Sequence, residues 1–139
     1  MSDPLLAATR IAASGLDAQS RRVRVAAENL ANAESTGNTQ GADPYTRKLI
    51  SFESEFDDQL GAEVVRVRGV DFDKSPFRLE HDPDHPAADE RGFVKRPNVD
   101  MLVEMADIRE ANRSYQANLQ VIRQAREMIT MTLDLMRQQ

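Results

Sequence analysis

Proline placement divides this chain more sharply than any other feature. Five of the six prolines fall between Pro44 and Pro97, and none follows Pro97. A proline inside a helix removes a backbone donor and clashes with the preceding turn, so the two ends can be long helices and the middle cannot. Asp3 is placed to cap the first helix, with Pro4 in the first helical position, where the absent amide hydrogen is not needed. Asn98, directly after Pro97, is placed to cap the second, with Asp100 in its first turn.

Each end carries an apolar stripe at alternating four-three spacing, the signature of a narrow helix seam. In the first, Leu5, Thr9, Ala12, Leu16, Gln19, Val23, Ala26, Leu30 and Ala33 follow one face, and Gly15 interrupts it at about 1 kcal/mol relative to alanine. Gly37 and Asn38 begin a loop, so the helix is predicted to end near Ala33 or Glu34. The second stripe is stronger: Met101, Met105, Ile108, Asn112, Tyr115, Leu119, Ile122, Arg126, Ile129, Leu133 and Met136, with only Asn112 and Arg126 polar. A helix from Asn98 to Arg137 is ~60 Å long, whereas a compact globule of this size has a radius of gyration of ~14 Å. The first helix covers only part of that length, and its alanines bury little area, so part of the long stripe requires another molecule.

The middle reads differently. Glu63 to Val70 alternates as a half-buried strand does, Phe77 to Glu80 is a second short candidate, and Gly92 to Lys95 a third. Ser35 to Pro44, rich in Ser, Thr, Gly and Asn, reads as a loop that orders on contact, and Phe52 to Leu60 is ambiguous because Phe52, Phe56 and Leu60 also have helical spacing. The expected fold is mainly α and one domain overall: residues 1–34 a first helix, 35–97 a loop with a small β-rich insert projecting from the helices, and 98–139 a second helix, the two helices forming a coiled-coil-like pair.

Chemistry is hard to find. His81-Asp82-Pro83-Asp84-His85-Pro86, with Asp89 and Glu90 behind, has metal-ligand residue types, but two prolines hold it extended and no third histidine exists. A small metal-dependent hydrolase built on His81, Asp82, Asp84 and His85 is therefore a weaker reading than a polar turn. There is no cysteine, no Gly-flanked serine near either histidine, and no lysine-serine or lysine-threonine pair after Gly37 to Gly41. No cofactor is implied and no catalytic residue stands out.

A net charge of −5 with mixed signs gives no clustered basic face for nucleic acid. Arg21, Arg22 and Arg24 form the densest basic cluster and read as solvated helix positions. No run of about 18 apolar residues exists for a membrane span, and Met1 to Leu6 does not read as the start of a cleaved signal peptide. From the residues alone, a cytoplasmic coiled-coil adaptor or chaperone accounts for the stripes as well as an exported subunit does.

Ile11 to Gln19, followed by Ala27-Glu28-Asn29-Leu30-Ala31-Asn32-Ala33, resembles the N-terminal signature of the flagellar axial proteins, the family of rod, hook and hook-junction subunits. Pro44-Tyr45-Thr46-Arg47-Lys48, His85 to Val94 and Pro97-Asn98-Val99-Asp100 are similar to the middle of that family's short proximal rod members, and Asn112 to Asn118, with Met128 and Leu133-Asp134-Leu135, to its C-terminal helix. The resemblance implies a non-enzymatic subunit exported unfolded through the flagellar type III apparatus without a cleaved signal. It further implies assembly in the periplasm into the tubular, torque-transmitting rod of the basal body. Its partners would be copies of itself, other flagellar rod proteins and components adjoining the rod base. The assembly interface is then expected at Leu5, Ala12, Gly15, Leu16, Val23, Ala26 and Leu30, and at the second stripe from Met101 to Met136. Asn112 and Arg126 would set register as polar members of an apolar seam.

Overall fold

The computed structural model describes residues 4–137. Two helices enclose a β insert, in the order α1 (Pro4–Ala31), β1 (Lys48–Asp57), β2 (Ala62–Phe72), β3 (Arg78–His81), β4 (Phe93–Arg96) and α2 (Met101–Arg137). The expected cap at Asp3 lies outside the described residues. At its other end α1 winds down through a turn in which the Ala33 N–H donates to Leu30 O and the Ser35 N–H to Asn32 O, close to where the stripe stops. The following loop folds tightly on itself: a Cβ on Gly37 would sit 2.6 Å from the Ala42 carbonyl oxygen.

The cap of α2 is Asp100 and not Asn98. Asp100 Oδ1 accepts the N–H of Leu102 at 2.9 Å, and its carbonyl accepts the N–H of Glu104 at 3.1 Å, the first turn of the helix. Asn98 turns into the insert, where its Oδ1 accepts the Arg47 N–H and its Nδ2 donates to the carbonyls of Asp73 and Ser75.

β1 and β2 form an antiparallel hairpin whose register runs Asp57↔Ala62 to Phe52↔Val67 and then, past a bulge at Ser51/Phe52, Ser51↔Gly69 to Lys48↔Phe72. The helical spacing of Phe52, Phe56 and Leu60 is overridden here because the alternating β2 offers β1 a partner. Asp57 Oδ1 accepts the N–H groups of Gln59 and Leu60, and Gly61 takes a positive φ of 64° to close the turn. A second two-stranded sheet pairs Arg78↔Arg96 through His81↔Phe93. Between its strands a polar turn is tied by Asp89, whose Oδ1 accepts the N–H groups of Arg91 and Phe93, over a small buried cluster of Ala87, Ala88 and Val94.

The hairpin does not project from the helices as expected. It lies back along α1, where Lys48 Nζ pairs with Glu28 at 2.9 Å and the Val65 N–H donates to Ser14 Oγ at 3.2 Å. Helix α2 packs on α1 alone among these elements. The two helices run antiparallel, as Asn29 with Glu104, Arg22 with Asp107 and Gly15 with Asn118 mark out.

The buried line of α2 is Glu104, Ala111 and Ala125, with Asn118 half-buried between them. It lies about 100° round the helix from the Met105, Asn112, Leu119 and Arg126 half of the expected stripe and about 60° from the Ile108, Tyr115, Ile122 and Ile129 half, a rotation of roughly 80°. Size explains the shift. The helices approach closely enough at Gly15 that a Cβ there would lie 2.8 Å from Asn118 Nδ2, and a seam that tight admits alanine but not methionine. With 28 residues in α1 and 37 in α2, the longer helix exceeds the shorter by ~13 Å.

Candidate assembly surface and the polar joint behind it

Where the end of α1, the start of β1 and the start of α2 meet, an almost fully buried polar network ties the insert to the helices. Glu104 and Asn29 are each 1% exposed. Asn29 Nδ2 donates to Glu104 Oε2 at 3.1 Å and to Lys48 O at 2.9 Å, while its Oδ1 accepts from Tyr45 Oη at 2.8 Å and from the Lys48 N–H at 2.9 Å. Arg47 Nε donates to Glu104 Oε1 at 2.6 Å, and its Nη1 reaches Asp73 Oδ2 at 3.2 Å. Each buried polar atom thus has a partner, which is what makes a carboxylate tolerable at such depth.

Electrostatics follow the geometry. Burial on its own lowers the Arg47 value, but the hydrogen bond and charge of Glu104, with Asp73 behind, outweigh it and hold the guanidinium above its usual range. Burial raises the Tyr45 hydroxyl, with Lys48 opposing and Glu28 and Glu104 adding. The N–H and hydroxyl of Ser75, together with Arg47, hold Asp73 below the ordinary carboxylate value.

Sequence reasoning did not single out this joint, although three of the quoted motifs converge on it: Asn29 from the first, Tyr45 and Arg47 from the second, Asn98 from the segment before α2. Glu104, an isolated carboxylate among Leu102, Val103 and Met105, was the available signal.

The expected interface residues separate into three groups. Ala12 and Ala26 are buried within the chain. Leu5, Gly15, Leu16, Val23, Leu30, Ile108, Leu119, Ile122 and Ile129 are half-buried. Met101, Met105, Asn112, Tyr115, Arg126 and Leu133 are exposed and form a flank on one side of the buried line of α2, while Met136, also exposed, continues that line beyond Ala125. On the other side lies a flank the sequence reading missed: Val103, Val121, Met128 and Leu135, all exposed, at intervals of 18, 7 and 7 residues that keep them on one line. Both ends of α2 are open, with Leu102 at 77% and, on the overhanging end, Leu135 at 67% and Met136 at 68%.

Both histidines serve the polar turn: His81 stacks edge-on against Phe93 at 5.0 Å, and His85 Nδ1 accepts the Ala87 N–H. No group of three or more His, Cys, Asp or Glu side chains among the described residues is disposed to hold a metal ion. Among the same residues, no helix is long and apolar enough to cross a membrane.

A braced helix pair with two open apolar flanks is the architecture of a structural subunit rather than of a catalyst. Residues 10–41 match the family described as flagella basal body rod protein, and residues 90–135 the C-terminal family of the flagellar basal body rod FlgEFG proteins. The chain is 57% identical to the flagellar basal-body rod protein FlgC of Agrobacterium fabrum, over 97% of each chain. It is 42% identical to that of Salmonella typhimurium, over 90% of this chain and 92% of the relative. It is 34% identical to that of Borreliella burgdorferi, over 95% and 97%. The chain belongs to the flagellar basal-body rod protein FlgC family, and it is a structural subunit of the flagellar basal-body rod, not an enzyme. The adaptor and hydrolase readings give way to that membership.

Proposed function

We propose that the chain builds the rod by packing α2 between neighbouring subunits, with α1 and α2 acting as a coiled-coil-like pair in the wall of a tube. The observation that carries this is the pair of exposed apolar flanks on opposite sides of the buried line of α2. A twofold dimer covers one flank and leaves the other wet. A heterologous contact, in which one flank meets a different surface of the next molecule, covers both and repeats without closing on itself. Copies of this chain and other rod proteins are the partners that such a wall brings together, with basal-body components at its base.

The thin alanine seam also suits export. It buries little area per residue, so the helix pair separates at small cost and the chain can pass unfolded through the flagellar type III apparatus to the periplasm. Ordering of the flanks then accompanies assembly, and the finished tube transmits torque.

Deleting the gene in its own bacterium and imaging isolated basal bodies tests the reading. Non-motile cells whose basal bodies lack a rod, restored by the intact chain, are the expected result. Motile cells with complete rods would overturn it.

A further inference from the structure

Between its two apolar flanks α2 presents a third, outward face that contains Arg109, Arg113 and Arg123, all exposed and none in an ion pair among the described residues. The far end of the β1–β2 hairpin has the opposite character. Glu53, Glu55, Asp57, Asp58 and Glu63 cluster there, with Arg66 the one basic residue of the tip itself and Arg10 and Arg21 of α1 bordering the hollow beside Asp57. Arg66 is taken by Glu55, Glu63 accepts the Ser54 hydroxyl and Asp57 holds its own turn, which leaves Glu53 and Asp58 exposed and without an ion-pair partner among the described residues. Phe56, also exposed, stands among these acids.

Neither strand of the hairpin packs its backbone on α2 within the chain, because the hairpin lies along α1. The two complementary patches therefore cannot neutralise each other inside one subunit. We propose that the acidic hairpin tip of one copy docks on the arginine face of α2 in a second copy, with Phe56 against the arginine stems. The proposal rests on the rod-wall reading above and names the contact that orients one subunit on the next. Single exposed ion pairs contribute little, but patches of opposite sign steer encounter, fix orientation and exclude wrong registers, while the apolar flanks supply the area. The two patches are different surfaces, so the contact repeats head to tail.

The chain has no cysteine, so Asp58→Cys and Arg113→Cys introduce the sole thiols. Basal bodies from cells that carry the double variant in place of the native chain, oxidised and run without reductant, are expected to give a ladder of dimers and larger multimers. Either single variant is expected to give no ladder. Rods that contain the double variant but release only monomers, or only dimers, would overturn the contact and leave the rod reading standing. Absence of the native chain from isolated basal bodies would instead defeat the rod reading itself.

A charge swap covers the case in which the cysteine pair fails to assemble. Arg113→Glu with Arg123→Glu is expected to abolish swimming, and adding Glu53→Lys with Asp58→Lys to restore it. Unimpaired swimming of the arginine variant, or no recovery on the swap, sinks the proposal.

Discussion

Glu104 is the residue on which the insert depends most. Replacing it by alanine leaves the partly exposed Arg47 guanidinium with only Asp73 and removes an acceptor from Asn29, a loss of about 1.5–3 kcal/mol for hydrogen bonds to a charged group. Urea unfolding of Glu104→Ala should show a loss of that size. Arg47→Met with Glu104→Met should lose less, since the carboxylate and guanidinium go together and Asp73 keeps the N–H and hydroxyl of Ser75. Gln19 predicts the opposite sign: its Oε1 is buried with no hydrogen-bond partner, and Gln19→Met should raise stability by about 1 kcal/mol in the same assay. Acid sensitivity follows from Asp73 and from Asp89, which the Phe93 and Arg91 N–H groups hold below the ordinary value of 3.8. A carboxylate whose folded pKa is depressed contributes stability that is complete above its unfolded value and lost as pH falls through the folded one. Thermal melts should therefore hold level down to about pH 4 and decline below it.

Helix packing makes a separate prediction at the level of elements. Gly15→Ala adds helix propensity worth about 1 kcal/mol but brings a Cβ against Asn118, whose amide is held by the Ser114 carbonyl. It should destabilise the native chain and stabilise the Asn118→Ala background, a reversal of sign that a double-mutant cycle by chemical denaturation reads directly. Both long helices, β2, β3 and β4 were legible in the sequence because proline, apolar alternation and seam spacing each act locally. What local pattern could not supply was the pairing of β1, which depends on β2 as a partner, and the rotation of α2, which depends on how closely two backbones approach at Gly15. Asn98 was misread for a related reason: it stands where a cap stands, and only the fold shows that Arg47, Asp73 and Ser75 claim its side chain while Asp100 takes the helix.

Across the whole molecule, stability and assembly draw on different surfaces. Val121 and Met128 are exposed on the flank, beside Ala125 but outside the seam and the polar joint, so Val121→Glu with Met128→Glu should move the melting of the isolated chain by only a few degrees, about the scale of a surface change. The same variant should assemble no rod, which electron microscopy of basal bodies checks. The joint of Asn29, Arg47, Asp73, Asn98 and Glu104 bears on how the subunit takes a load. It clamps segments far apart in sequence at a single corner, whereas the seam between the helices is smooth, small and easily slid. A force applied to the hairpin therefore reaches the helices through that corner as well as along α1, where the Val65 N–H holds Ser14. Because the brace is buried and charge-assisted, it stays stiff in salt concentrations that soften contacts on the surface.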